Sequence, residues 1–251
     1  MKEMHAFDAV YMDFMKDFDK VPHKRLIKKM GRYGISDRII KWVEDFLKHR
    51  KQQVSVNGKS SIEHNVTSRI PQGSALGPIL FVMYINDMSD CVDATAYLFA
   101  DNTKIYKNVK MPSDRTSLKA DIDSLQTWTN TWLLKFHPNK CKAISISNKK
   151  ASDDINQKYH LYDNDGNHVN LDQSKGERDI GVWVDDNINF SKHMQQQINK
   201  ANGIMGLIRR TYSYLDERIS FRYLFQALVR PHLEYAAAGS SPYKIAEIES
   251  A

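Results

Sequence analysis

Two cysteines in 251 residues, Cys91 and Cys141, are too few for a disulfide framework and make a reducing compartment the expectation. No apolar run approaches the ~18 residues that a bilayer span needs. Glu3 and Asp8 stand where a secretory leader would have its apolar core. Internal repeats and low-complexity tracts are lacking too. A secreted scaffold, a membrane protein and an acidic tail are thereby set aside. What remains is an ordinary globular composition, 41% hydrophobic and 26% charged, too apolar for a disordered chain. The length suits one large domain or two modest ones.

Acidic residues are outnumbered, 30 against 36 Lys and Arg, and the surplus is uneven. Residues 1–60 carry 14 basic and 8 acidic side chains, residues 61–190 carry 14 and 17, and residues 191–251 carry 8 and 5. Two basic ends around an acidic middle suit a polyanion gripped from both sides, with carboxylates holding cations between. The same imbalance also describes a merely solvated surface, and charge alone leaves both readings standing.

Hydrophobic periodicity predicts a mixed α+β layout. Ala6 to Phe14 reads as a buried strand, with Val10, Tyr11, Met12 and Phe14 around Asp13. Pro22 opens a helix bearing Leu26, Ile27 and Met30, and Gly31 and Gly34 bracket its end. Ser36 is a candidate N-cap for a helix bearing Ile39, Ile40, Val43, Phe46 and Leu47, closed by Lys48, His49, Arg50 and Lys51. Two hairpins follow: 53–56 with 62–67 around Asn57-Gly58, and 95–99 with 103–106 around 100–102. Between them a loop at 71–77 leads into a helix with Leu80, Phe81, Tyr84, Ile85 and Met88. Leu118, Ile122, Leu125, Trp128, Trp132 and Phe136 mark a long amphipathic helix. Strands are expected at 143–147, 160–162 and 180–184, with a polar linker at 148–158. From Phe190 the pattern is helical, through Met194, Ile198, Ala201, Met205 and Ile208, with another helix after Asp216.

Two carboxylates stand out by position. Asp13 lies inside an apolar strand, and Asp101 at the tip of an apolar hairpin. A carboxylate in such surroundings is costly unless it is paired, hydrogen-bonded or bound to metal. Two of them converging would form an oxygen-rich Mg²⁺ site of the kind two-metal phosphoryl transfer requires. On the residues alone a second reading stands beside it: Asp13 paired with Lys16 or Lys20, and Asp101 simply making a turn.

The stretches Asp13-Phe14-Met15-Lys16-Asp17-Phe18-Asp19, Pro71-Gln72-Gly73-Ser74-Ala75-Leu76-Gly77-Pro78 and Phe99-Ala100-Asp101-Asn102 resemble, in order, the palm motifs of reverse transcriptases. Val21-Pro22-His23, Tyr84-Ile85-Asn86-Asp87, Leu134-Lys135-Phe136, Lys140-Cys141, Arg178-Asp179-Ile180-Gly181-Val182 and the segment 226–235 narrow the resemblance to polymerases of non-LTR (LINE-type, jockey-like) retrotransposons. It runs from about residue 6 to about residue 243. It implies an antiparallel palm sheet packed on helices over 1–189, then a small helical thumb over 190–251. Asp13 and Asp101 would bind two Mg²⁺ ions, with Mn²⁺ as the alternative, and Asn102 would complete the hairpin motif. Lys140 would be the proton donor to pyrophosphate. Phe14, Phe18, Gln72 and Gly73 would lie along the nucleotide, Phe18 as the steric gate against ribonucleotides, and Ile180-Gly181-Val182 would fall in the primer grip. The implied partners are an RNA template, a DNA primer and deoxynucleoside triphosphates, with no membrane, and the implied place is the nucleus and cytoplasm.

Three departures weaken the expected activity. The family pattern ends its hairpin motif in two aspartates, and here the second is Asn102, which keeps an acceptor oxygen but loses a charge. Asp17 stands where the family has Ala, adding a carboxylate beside the gate, and Met15 replaces a small residue. Only twelve residues precede Asp13, so a fragment without most of the fingers is expected, and a non-catalytic nucleic-acid-binding remnant is the alternative function. His137 and Cys141, four apart, have no second ligand pair for zinc, and Trp128 and Trp132 are expected in the core.

Overall fold

The computed structural model describes residues 6–15, 17–48, 50–66, 68–71, 73–146, 159–163, 165–212 and 217–237, with backbone alone at 17–18 and 217–220. The polar linker expected at 148–158 lies outside the described residues, as does Gln72. No helix among the described residues is long and apolar enough to cross a membrane. Two compact units divide the chain: Met1–Ser145 with Lys149–Gln173, and Ile146–Asn148 with Ser174–Ala251.

The first unit is built around a five-stranded sheet. Strand β1 (Phe7–Asp13) is followed by a single helical turn, α1 (Asp17–Lys20), and by α2 (His23–Arg32) and α3 (Asp37–Leu47). Four short strands come next: β2 (Lys51–Gln52), β3 (Ser55–Val56), β4 (Lys59–Ser60) and β5 (His64–Asn65). Helix α4 (Leu76–Ile85), strands β6 (Thr95–Phe99) and β7 (Asn102–Asn108), and the long α5 (Pro112–Trp132) follow. Strands β8 (Lys142–Ile146), β9 (His160–Tyr162), β10 (His168–Asn170) and β11 (Asp172–Gln173) complete the unit. The main sheet runs β11-β8-β1-β7-β6, so the first strand of the chain is its centre.

That central place follows from composition. Val10 and Met12 alternate on the buried face of β1, and Ala9 is buried as well, as suits a strand flanked on both sides. β1 pairs antiparallel with β7 from Phe7↔Asn108 to Asp13↔Asn102. Under the sheet, α4 is apolar nearly all round, and Leu80, Phe81, Tyr84 and Ile85 are buried. Gly77 in its first turn has no room for a side chain, since a Cβ would stand 2.7 Å from the carbonyl oxygen of Pro71.

Local signals largely hold. Ser36 is the N-cap of α3, but its hydroxyl makes no capping bond, and Asp37 puts a carboxylate in the first turn instead. Asn57 and Gly58 both take positive φ, 50° and 76°, in the turn of the β3–β4 hairpin, whose second arm is Lys59–Ser60 rather than 62–67; His64–Asn65 pairs with Lys51–Gln52 instead. α5 starts at Pro112, where the Asp114 carboxylate accepts the backbone N–H groups of Lys110 and Met111, each at 2.8 Å. It ends before Phe136, contrary to the periodicity, because Leu133 turns left-handed at φ 59°. Trp128 is buried in the core, while Phe136 leaves the helix to bridge Phe14.

The second unit opens on a hairpin of β12 (Gly176–Asp179) and β13 (Val182–Asp185), turning at Ile180 and Gly181. Its main stretch begins at Ser174, so the hairpin belongs to the same unit as the helices. The Asp185 carboxylate accepts the N–H groups of Asn187, Asn189 and Phe190 and so leads the chain into α6 (Ser191–Thr211). α7 (Glu217–Leu224), a π-turn over Phe225–Val229 and α8 (Arg230–Glu234) follow. Ala201, Ile208 and Val229 form the centre of this unit.

Candidate active site

Asp13 is the last residue of β1, and the two segments beside it fix its place. On one side the β1–β7 register sets it opposite Asn102. Directly opposed residues of an antiparallel pair send their side chains to the same face. Asp101 is therefore one residue along, in the turn between β6 and β7, where Ala100 takes a left-handed φ of 51°. On the other side the chain after α5 closes onto the strand end. His137 donates its backbone N–H to the Asp13 carbonyl at 2.8 Å, and Met15 donates to Lys135 O at 2.7 Å.

Lys140 reaches this strand end. It closes a 3₁₀ turn over Pro138–Lys140, and its Nζ is 3.2 Å from Asp13 Oδ2. The lysine is 58% exposed and the aspartate 31%, so the pair is solvent-bathed and the ammonium is free to swing. Asn102 donates from Nδ2 to Asp101 Oδ1 at 3.3 Å. Asp13, Asp101, Asn102 and Lys140 thus gather at one end of the central strands. Among the described residues the ion-pair partner of Asp13 is Lys140, from far along the chain, rather than Lys20, while Lys16 lies outside the described residues.

The nucleotide-side residues divide. Phe14 is 2% exposed, stacked on Phe136 at 4.8 Å and edge-on to Phe81 at 6.2 Å, so its ring is core and only its backbone could face a nucleotide. The Phe18 side chain, like Gln72, lies outside the described residues. Gly73 takes φ 76° in the turn before α4, with open space where a side chain would stand. Ser74 ties that turn down, donating to Pro71 O at 2.8 Å and accepting from Gly77 N at 3.0 Å. The Phe14–Phe81 contact joins α4, and with it the Gly73 turn, to the residue following Asp13.

Two residues that the sequence reading weighed as a zinc spacing, His137 and Cys141, stand beside Asp13. Cys141 is buried against Asp13, its Sγ 3.9 Å from the Asp13 carbonyl oxygen, and burial pushes the thiol up to about 12. His137 presents a buried Nδ1 with no hydrogen-bond partner among the described residues. Neither could have been found from spacing, since both act on Asp13 from more than a hundred residues away. Hard oxygen donors of this kind fit Mg²⁺, but the set holds two carboxylates and a neutral amide. Among the described residues no group of three or more His, Cys, Asp or Glu is placed to hold a metal ion.

Comparison with known proteins bears on this geometry. The family model described as reverse transcriptase (RNA-dependent DNA polymerase) matches residues 8–160. The chain is similar to the RNA-directed DNA polymerase from mobile element jockey of Drosophila melanogaster, 29% identical over 153 residues, covering 57% of this chain and 17% of the relative. The jockey polymerase of Drosophila funebris is 23% identical over 247 residues, covering 91% and 25%. The probable RNA-directed DNA polymerase from transposon BS of Drosophila melanogaster is 26% identical over 227 residues, covering 82% and 24%. The chain therefore spans a quarter or less of the length of these relatives. An apo telomerase structure from Candida tropicalis overlays with a TM-score of 0.49 at 11% identity, over 72% of this chain and 34% of that one, a likeness too slight to weigh.

Proposed function

The chain belongs to the reverse transcriptase (RNA-dependent DNA polymerase) family, and from that premise we propose that it is the catalytic palm, with the start of a thumb, of a non-LTR retrotransposon polymerase impaired by its own substitutions. The reaction is transfer of a deoxynucleotide to a primer 3′-OH on an RNA template: the primer oxygen bonds to the α-phosphorus, the bond to pyrophosphate breaks, and the hydroxyl proton is lost. The single observation that carries this reading is the register that sets Asp13 opposite Asn102 and beside the Asp101 turn. The first unit is the palm, the β12–β13 hairpin the primer grip and α6 onward the thumb. The compartment is intracellular, nuclear and cytoplasmic.

Asp13 and Asp101 would hold two Mg²⁺ ions, which when bound acidify the primer hydroxyl and neutralise the leaving pyrophosphate. Lys140 stands exposed at the rim, where its ammonium can leave Asp13 and give a proton to the departing pyrophosphate oxygen. Gln72 and the open Gly73 turn lie along the incoming nucleotide, and Phe18 presses on the sugar C2′ side. Asn102 supplies an amide where the family has a carboxylate, which weakens the hold on divalent ions, and its N–H competes for Asp101. Asp17 adds repulsion toward the triphosphate.

Primer extension on an RNA template with Mg²⁺ or Mn²⁺ tests this reading. Little or no extension is expected of the unmodified chain, and measurable extension of the Asn102→Asp plus Asp17→Ala double variant. Robust extension by the unmodified chain would overturn the impairment. A folded double variant that binds primer–template and nucleotide but never extends would overturn the polymerase assignment.

A further inference from the structure

Helices α2 and α3 belong to the most basic stretch of the chain, residues 1–60, and the groove they line includes none of Asp13, Asp101, Asn102 and Lys140. Trp42 and Phe46, four residues apart on α3, stack at 6.3 Å with ring planes 20° apart. Arg50, just past the helix end, lays its guanidinium over the Phe46 ring at 5.6 Å. Trp42 is 56% exposed, an unusual state for the largest apolar side chain.

Beside this ridge runs an open groove of about 650 Å³ between α2, α3 and the strand end at Asn65. Its floor includes Ile27 and Leu47, and His23, Lys24, Lys48 and Arg50 line it. Glu44 is the one acidic residue among the described lining, and it is already paired with Lys48 at 3.2 Å. Lys24 is exposed and has no ion-pair partner among the described residues. A flat aromatic step capped by arginine, next to a basic groove with an apolar floor, matches the chemistry of an unpaired nucleic-acid strand: π faces for the bases and cations for the phosphates. A duplex would offer its base edges, not its faces, to such a step.

We propose that the Trp42–Phe46–Arg50 ridge and the adjoining groove hold a single-stranded RNA segment, at a contact separate from the carboxylate site. The proposal rests on the reading of the chain as an RNA-handling enzyme, but it predicts binding that survives loss of catalysis. Nothing in it depends on metal.

The test is fluorescence anisotropy of the full chain with a short labelled oligouridylate, in EDTA, between about 50 and 200 mM salt. Trp42→Ala should weaken binding about 5- to 150-fold, while Trp42→Phe, which keeps a stacking face, should stay near the unmodified chain. Arg50→Glu should weaken binding and lower the salt slope by roughly one. Asp13→Asn should leave the affinity unchanged. Because Trp42 is exposed, an unaltered circular dichroism spectrum is expected for its variants. Equal affinity of Trp42→Ala, Arg50→Glu and the unmodified chain would overturn the proposal while leaving the polymerase reading intact. Self-association abolished by Trp42→Ala, with RNA affinity unchanged, would overturn it in favour of a protein contact. Failure of primer extension together with Trp42-dependent RNA binding would leave the proposal standing and count only against catalysis.

Discussion

Lys140 occupies two roles that pull against each other. Its ammonium neutralises Asp13 in the resting chain, and the same group is the proposed proton donor once substrates arrive. In the Asn102→Asp plus Asp17→Ala background, Lys140→Ala should slow single-turnover extension by roughly 10²–10⁴, the usual weight of general acid catalysis. A faster rate in Lys140→Ala would mean that the lysine only blocks the metal site. At this scale the sequence was half legible. Asp13 was conspicuous because a carboxylate interrupts an apolar strand, and Asp101 because it crowns a hairpin. The pairing with Lys140 was not, since tertiary folding alone brings residues so far apart together. Nor does sequence say which face a strand-end ring takes, so Phe14 reads equally well as nucleotide contact or core until Phe81 and Phe136 are seen around it.

Helices announce themselves by period and strands by alternation, and the elements that broke from expectation lacked one or the other. β12 reads Gly-Glu-Arg-Asp, with no apolar alternation, and exists because β13 pairs with it. α5 stops at Leu133 without a glycine to mark the left-handed turn. α2 conceals a charge in its inner face. Lys29 is 2% exposed, its Nζ 3.8 Å from the Trp132 ring centre and 4.6 Å from that of Trp128, with Asp87 at 2.5 Å and the Tyr84 carbonyl as acceptor. One cation therefore binds α2 to α4 and α5. Burial lowers the Lys29 pKa, against the pull of Asp87. Lys29→Ala should cost about 2–4 kcal/mol in urea unfolding, through the cavity and the lost aromatic contacts. Lys29→Met should recover most of that, because the stem does the packing and Asp87 still reaches solvent. Equal losses for both would assign the stabilisation to the charge.

For the molecule as a whole, buried groups set the response to alkali. Burial raises Cys141 from about 9 to about 12 and also raises the phenols of Tyr84 and Tyr159, the latter helped by the neighbouring Asp8. Each keeps its proton in the folded state when the unfolded chain would release it. Their stabilisation is therefore complete below about pH 9 and is lost as the pH rises toward their folded values. Lys29 works the other way, shedding its proton earlier when folded and so gaining stability as the pH rises toward 10.5. Burial also raises Cys91 and Tyr33, so the raised groups outweigh Lys29 and the urea midpoint should fall steadily between about pH 9 and 11. Cys141→Ala should shallow that fall, and a flat profile would show that these groups ionise without unfolding.

The central position of β1 also has a consequence in time. Its partner β7 lies about 90 residues downstream, and synthesis proceeds at roughly 5–20 residues per second. For on the order of 5–20 s, each newborn chain therefore carries the apolar run Ala9-Val10-Tyr11-Met12 with neither neighbour made. The strand that presents Asp13 is made before both of its neighbours and must wait for its place in the sheet, so whatever shields that segment meanwhile bears on how much of the protein folds.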